Sequence, residues 1–344
     1  MSCTSSLMCN PVPEAESVQL LSAADVKARI NALGRQGVPF LCAVDFELSS
    51  GFILECPLEQ QAVLFQTPLG GNCVPSVLSD SNGGMQLDTV PVPYSIYRER
   101  FNQIQAALER GDTYLANLTV KTPIRTDVSL REIFHRSISP YRILFPERFV
   151  CFSPECFVRI SDNMISTCPM KGTLDATLPN AEKRLLDDPK ETAEHCTVID
   201  LLRNDLSMVA ADVRVERFRY IDRIVSWQRE LLQVSSEVRG RLAPDWQERL
   251  GDILFRMLPA GSVSGAPKRS TLELLHRTEG EPRGFYTGVF GYFDGSVFDS
   301  AVLIRFIEES DGQLFFRSGG GITLDSDPER EYAETLEKIY LPFR

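Results

Sequence analysis

The chain has 344 residues, 43% of them hydrophobic, and a formal net charge of −11 from 47 acidic and 36 basic residues. A chain of this length buries roughly three quarters of its unfolded surface, enough for a large core in one domain or two. An acidic chain is repelled by phosphate backbones and anionic membranes, and no run of Lys and Arg with interleaved aromatics interrupts it, so nucleic acid is not an expected partner.

Residues 1–16 are polar and expected to be loose; Met1 to Glu14 carry no basic residue and no sustained apolar run, unlike a signal peptide. Ala23 to Leu33 predicts a helix, with Ser22 as its N-cap and Gly34 just after its end. Phe40 to Phe46 and Phe52 to Glu55 read as strands, and Asn72 to Gly84, rich in Gly, Ser and Asn, as a loop. Ile96, Phe101, Ile104 and Leu108 recur at helical spacing within Ser95 to Glu109, and Gly111 ends that helix. Tyr114 to Val120 is a strand, and Phe149 to Ile160 reads as a hairpin turning at Ser153-Pro154-Glu155. Ala181 to Val209 is helical with a break at Pro189, Phe218 to Gly240 favours strands, and Trp246 to Met257 is a helix running into a glycine-rich loop. Tyr286 to Ile307 and Leu314 to Arg317 are strands with turns at Asp294-Gly295 and Asp311-Gly312. Pro328 to Tyr340 is the last helix, with Asp327 as N-cap.

Strands joined by short turns outnumber βαβ units. The pattern predicts mainly antiparallel sheets with helices packed outside, an α+β fold in a single domain over 17–344. No stretch approaches the ~18 apolar residues of a membrane span. The nine cysteines form no CxxC pair and only three histidines accompany them, which predicts reduced thiols in the cytoplasm rather than a metal or disulfide framework.

Several segments carry candidate chemistry. Glu191 and Glu194 share a face of one helix, and Glu331 and Glu334 repeat the spacing on another. Four carboxylates from two helices suit a hard cation such as magnesium, although an ExxE pair taken alone is far more often a solvated helix face. Gly319-Gly320-Gly321 and the loop Pro259 to Lys268 expose backbone N–H groups without Cβ crowding, which suits an anion; a flexible turn reads the same way. Lys171, beside Gly172, is a nucleophile if it is held out of water and deprotonated, and a surface charge otherwise. Arg305 ends the apolar run Ala301 to Ile304, where it needs a partner, either an internal carboxylate or an incoming one.

Eight segments taken in order, GDTYLANLTV (111–120), SPECF (153–157), PMKGT (169–173), KETAEHCTVIDLLRNDL (190–206), PAGSVSGAPK (259–268), RGFYTGVFGYF (283–293), AVLIR (301–305) and SGGGITLDSDPEREYAETLEKI (318–339), resemble the chorismate-utilising enzymes. That family includes anthranilate, aminodeoxychorismate, isochorismate and salicylate synthases. The resemblance implies one α+β domain of two stacked antiparallel sheets, with a shortened N-terminal part, since 110 residues precede GDTY here. It implies that Glu194 and Glu334 coordinate magnesium, with Glu191 and Glu331 close behind. Tyr286 and Arg305 would hold a substrate carboxylate beside Gly319, Gly320 and Gly321, and Gly261, Ser262 and Thr173 would line the site.

Within the family, lysine at position 171 is similar to aminodeoxychorismate synthases, whereas anthranilate synthases usually have alanine there. In that reading Lys171 attacks C2 of chorismate, Glu155 protonates the departing C4 hydroxyl, and ammonia then displaces the lysine at C4. Leu115 stands where isochorismate and salicylate synthases carry a water-activating lysine, and Gln233 stands where many relatives carry a histidine. No glutaminase nucleophile motif is found, so ammonia is expected to be free or supplied by a separate glutamine amidotransferase. Anthranilate synthase component I is the second reading and a non-catalytic chorismate-binding relative the third.

Overall fold

A computed structural model describes residues 18–73, 86–225, 230–341 and 343; the expected loose segment 1–16 and most of the Asn72 to Gly84 loop lie outside these. Among the described residues, two sheets form, and every strand pair in both is antiparallel. The first runs Leu21–Ser22, Ser50–Glu55, Phe40–Val44, Val289–Phe293, Phe298–Val302, Cys156–Ser161, Met164–Thr167, Glu230–Arg241, Met170–Asp175, with Ala211–Val225 also on Glu230–Arg241. The second runs Gly265–Ala266, Leu115–Thr126, Gln313–Ile322, Phe306–Ser310, Phe149–Ser153, Tyr141–Phe145, Leu64–Thr67, Gly70–Gly71, with Leu87–Thr89 on Leu115–Thr126.

The sheets stack through one apolar layer. Leu41, Ala43, Phe52, Phe290 and Ala301 of the first meet Phe65, Ile143, Phe149 and Phe306 of the second. Outside the first sheet, Val26 and Ile30 of helix Ala23–Gln36, Ile199 and Leu206 of helix Pro189–Ser207, and Leu254 of helix Leu250–Met257 close a second layer. Outside the second, helices Tyr94–Arg110 and Lys268–Glu279 cover Leu118 and Val120. This is the α+β arrangement that the alternation of short strands predicts. Among the described residues no helix is long and apolar enough to cross a membrane.

Local signals set most helix ends. Ser22 accepts from Asp25 N, Asp188 from Glu191 N, and Asp327 from Glu329 N and Arg330 N, each satisfying a donor that the first helical turn leaves open. The first helix passes its expected stop, however, and ends at Gly37 in the left-handed region. Gly34 is there for contact: a Cβ on it would meet the Gln247 carbonyl oxygen at 2.1 Å. Gly319–Gly321, expected in a loop, instead finish the long strand Gln313–Ile322, paired with Asn117–Thr119.

The predicted hairpin at 149–160 is not one. Phe149–Ser153 belongs to the second sheet and Cys156–Ser161 to the first, so the chain changes sheets at Pro154-Glu155. Phe298–Val302 and Phe306–Ser310 change sheets in the same way around Arg305. A hairpin and a crossover have the same local signature, two apolar runs around a turn; only the choice of partner strands separates them.

One buried ion pair joins the layers near these crossovers. Arg283, 2% exposed, donates from Nε and Nη2 to Glu279 at 2.8 and 2.7 Å, from Nη1 to Val263 O at 2.8 Å and from Nη2 to Asn117 O at 2.6 Å. Glu279 also accepts from Thr119 N and Oγ1, both at 2.9 Å. A charge removed from water persists only if its partners satisfy it, and these do.

Two outcomes test this packing. Gly34→Ala gains roughly 1 kcal/mol of helix propensity but forces a Cβ into a carbonyl, so it is expected to destabilise by about 1–3 kcal/mol, read as a lower denaturant midpoint. Arg283→Met strands the Glu279 carboxylate and is expected to cost about 3–5 kcal/mol, while Arg283→Met with Glu279→Leu recovers much of that loss in the same measurement.

Candidate active site

The two crossovers lie side by side: Phe152 N donates to Arg305 O at 3.1 Å and Val302 N to Glu155 O at 3.2 Å. They place a carboxylate and a guanidinium at one end of the stacked sheets. Glu155 is half-buried and accepts from Ser262 Oγ at 2.6 Å. Burial raises its carboxyl above the usual range, against the opposing pull of the Ser262 bond and the Arg305 charge. Such a group keeps its proton into the pH range where most carboxylates have lost theirs.

Arg305 sits at φ 53, and its Nε lies 3.4 Å from Tyr340 Oη with the guanidinium 5.4 Å from that ring. Among the described residues no carboxylate lies within ion-pair distance of it, and the internal carboxylate that feels its charge is Glu155. Tyr286 is buried beside Phe306, with ring centroids 5.8 Å apart, and burial raises its hydroxyl while Arg283 and Arg305 pull the other way.

Lys171 lies on the edge strand Met170–Asp175, where the register with Glu230–Arg241 shifts between Lys171 and Thr173. Gly172, at φ 72, makes that bulge possible. The Lys171 ammonium donates to the Glu194 carboxylate. Burial works against its charge, but Glu194, then Glu191 and Glu334, outweigh burial and raise the ammonium above its usual range. Glu191 comes close because Gly172 has no side chain: a Cβ there would stand 3.2 Å from its Oε2. Thr173 faces Gln233 across the strands; its side chain lies outside what is described.

The second acidic pair comes from helix Pro328–Glu337. Glu331 is buried and accepts from Ser326 Oγ at 3.0 Å, with its Oε2 3.5 Å from where a Gly320 Cβ would be. Glu334 pairs with Lys338 at 2.7 Å, and Lys338 also donates to Gly319 O at 2.8 Å. The structure therefore brings Glu194 onto the Lys171 ammonium and Glu191 and Glu334 within range of its charge, with Glu331 one turn from Glu334. Among the described residues, no three such side chains stand close enough together to hold a metal ion as placed. The donors are all oxygen and mutually repulsive, which suits a hard cation, and lysines now supply the neutralising charge.

Among the described residues, the Gln313–Ile322 strand has a strand partner on one edge only beyond Arg317, since Phe306–Ser310 pairs no further than that. Gly319, Gly320 and Gly321 thus run along an open edge close to the Glu331–Lys338 cluster. Leu115 adjoins them, its Cδ1 3.1 Å from the Cβ position of Gly321. Gly261 does less than its sequence position suggests: its N–H is donated to Asp205 at 3.1 Å, so it is not a free donor for a ligand. Ser262, the next residue, reaches Glu155.

Sequence reasoning missed Asp205, Lys268, His195 and the Arg283–Glu279 pair. Asp205 and His195 lie within the quoted 190–206 segment, and their signal is a polar residue at a position the helix buries. His195 Nε2 is 2.7 Å from Ser236 Oγ, and burial, with Arg219 and Lys171 adding, pushes its imidazole down to about 4. It is neutral at physiological pH.

Comparison with known proteins agrees with this architecture. The chain is 48% identical over 315 residues to an "Uncharacterized PabA-like protein" of Haemophilus influenzae, covering 91% of this chain and 94% of the relative. It is 36% identical over 257 residues to anthranilate synthase component 1 of Archaeoglobus fulgidus, covering 70% of this chain and 61% of the relative. Aminodeoxychorismate synthase component 1 of Salmonella typhimurium is 32% identical over 259 residues, covering 71% of this chain and 56% of the relative. Among solved structures, anthranilate synthase component I from Streptococcus pneumoniae superposes with a TM-score of 0.70 at 18% identity, over 98% of this chain and 94% of that one, a likeness of fold. Residues 78–344 match the model of the family described as chorismate binding enzyme, and the chain belongs to that family.

Proposed function

We propose that this protein aminates chorismate at C4 with ammonia, giving 4-amino-4-deoxychorismate through a covalent adduct on Lys171. The observation that carries the reading is the position of Lys171: a lysine on a bulged edge strand, directed into a cluster of glutamates, in a family that binds chorismate. A perturbed lysine paired with a glutamate of a clustered set is a candidate for a role in the chemistry.

Each residue then has a task. The Lys171 amine, once deprotonated, attacks C2 of the ring; both conjugated ring double bonds shift toward C4, and the C4 oxygen leaves as water, taking its proton from Glu155. Ammonia next attacks C4, both ring double bonds shift back, the Lys171–C2 bond breaks, and the surplus proton returns to the site's bases. Two allylic displacements replace one difficult direct substitution. Arg305 and Tyr286 hold the enolpyruvyl carboxylate, with the open edge at Gly319, Gly320 and Gly321 beside it, and Ser262 and Thr173 line the space. Glu194, Glu334, Glu191 and Glu331 would hold magnesium, which would supply positive charge for a substrate carboxylate and for the acidic cluster. Ammonia comes from solution or from a separate glutamine amidotransferase, and a later lyase step would yield p-aminobenzoate for folate synthesis in the cytoplasm.

A second reading, anthranilate formation, is favoured by the 36% identity to an anthranilate synthase component 1. Lys171 argues against it, because a nucleophile at C2 has no part in adding ammonia there.

Purified protein given chorismate, magnesium and ammonium salt is expected to form aminodeoxychorismate, identified by mass and chromatography. Anthranilate as product would replace the first reading with the second; absence of turnover even with an amidotransferase and glutamine would overturn both. Lys171→Ala is expected to abolish product and the mass adduct. Glu155→Gln is expected to lower kcat by about 10²–10⁴. Because Glu155 acts in its protonated form and its carboxyl is raised, its contribution is present at low pH and lost as pH rises through that raised value. Wild-type kcat/KM is therefore expected to show an alkaline limb that Glu155→Gln removes.

A further inference from the structure

The turn that carries Ser262 is short, Gly261–Ser264, and one buried carboxylate holds it. Asp205, 3% exposed on helix Pro189–Ser207, accepts from Gly261 N at 3.1 Å through Oδ2 and from Lys268 Nζ at 3.1 Å through Oδ1. Lys268 also donates to Met257 O at 2.6 Å, so the loop from 257 to 268 is tied at both ends to the same side chain. The fit is close: a Cβ on Gly261 would stand 2.7 Å from Asp205 Oδ2 and 2.9 Å from Leu201 Cγ. Asp205 lies eleven positions after Glu194, about three turns, on the same face of the helix and roughly 16 Å along it. One face of this helix thus meets Lys171 at one end and the Ser262 turn at the other.

We propose that Asp205 is a positioning residue: through Gly261 and Lys268 it seats the 259–268 loop so that Ser262 stays on the Glu155 carboxyl, fixing where that carboxyl points and how readily it gives up its proton. The inference rests on the reading of Glu155 as proton donor. Burial of Asp205 is unfavourable for its charge, as its raised carboxyl shows, and the Lys268 ammonium and Gly261 N–H compensate in part. Gly261, Val263 and Ser264 are themselves buried, so packing already attaches the loop without a charge. Holding a hydroxyl to within a few tenths of an ångström of one carboxyl oxygen gives the charge a use, since a displacement of about 1 Å at a reacting group costs about 10²-fold in rate.

The test compares Asp205→Asn, Gly261→Ala and Ser262→Ala in the full chain. Gly261→Ala leaves Asp205 intact and pushes the loop off the helix sterically, so it carries the test if Asp205→Asn folds poorly. The Ser262 bond lowers the Glu155 carboxyl, so losing it raises that group. All three variants are therefore expected to move the alkaline limb of kcat/KM upward in pH and to lower kcat about ten- to a hundredfold. Asp205→Asn combined with Ser262→Ala is expected to shift the limb no further than Ser262→Ala alone. Hydrogen exchange supplies a readout independent of turnover: amides of 259–266 exchange faster in Asp205→Asn and Gly261→Ala, with those of the Phe149–Ser153 strand unchanged. Variants that lose thermal stability but keep the wild-type limb and wild-type exchange in 259–266 would show Asp205 to be structural only and overturn the proposal. If the wild-type protein makes no product, the proton-donor role fails by itself; faster exchange of 259–266 would still support the seating of the loop, and unchanged exchange would refute it.

Discussion

The structure depends on two chain segments changing sheets at the same place. Phe152 N to Arg305 O, Val302 N to Glu155 O and Cys151 Sγ to Ile304 O are hydrogen bonds that tie the crossovers together. A strand that leaves one sheet for the other breaks the alternation of its pleat, so a residue at the break points into neither apolar layer. With two breaks adjacent, a carboxylate and a guanidinium come to share one space at the end of the sheets. Arg305 adopts a left-handed backbone to do so, which costs a non-glycine residue about 1–2 kcal/mol, and the neighbouring strands hold it there.

Around that joint, buried polar groups do what apolar packing cannot. Arg283 and Glu279 bind each other and also Asn117 O, Val263 O and Thr119. Apolar side chains of the same volume would fill the space but would leave those backbone groups unsatisfied. Asp205 with Lys268 repeats the arrangement on the other side of the same loop. The loop that faces the site is therefore held from both sides by ion pairs, and its geometry is set by directional bonds.

The two groups of most chemical interest are shifted in the same direction for opposite reasons. Glu155 holds its proton because burial disfavours its charge. Lys171 holds its proton because carboxylates favour its charge more strongly than burial opposes it. On the proposed reading, the acid is ready in this state, while the amine waits for the surrounding negative charge to be redistributed.

Much of this was legible in the sequence where the cause is local. Helix caps at Ser22 and Asp327, the helix break at Pro189, the paired glutamates and the glycine that follows Lys171 depend on neighbours within a turn or two. The order of eight segments identified the family and named Glu155, Lys171 and Arg305. Tertiary structure decided what depends on partners far along the chain. Gly34 reads as a helix stop because a glycine at that distance usually is one, yet Gln247, more than two hundred residues away, is what requires it. The apolar runs at 149–160 read as a hairpin because a turn between strands says nothing about which sheet each strand joins. Asp205 and Arg283 look like ordinary surface charges until the helices are docked. Sequence by itself determined most of the elements, the family and which side chains are candidates for its chemistry, because those follow from short-range periodicity, motif order and residue type. Only the tertiary structure decided which charges are buried, which glycines serve as contacts and which residues meet at the site, because burial and pairing belong to the packed whole.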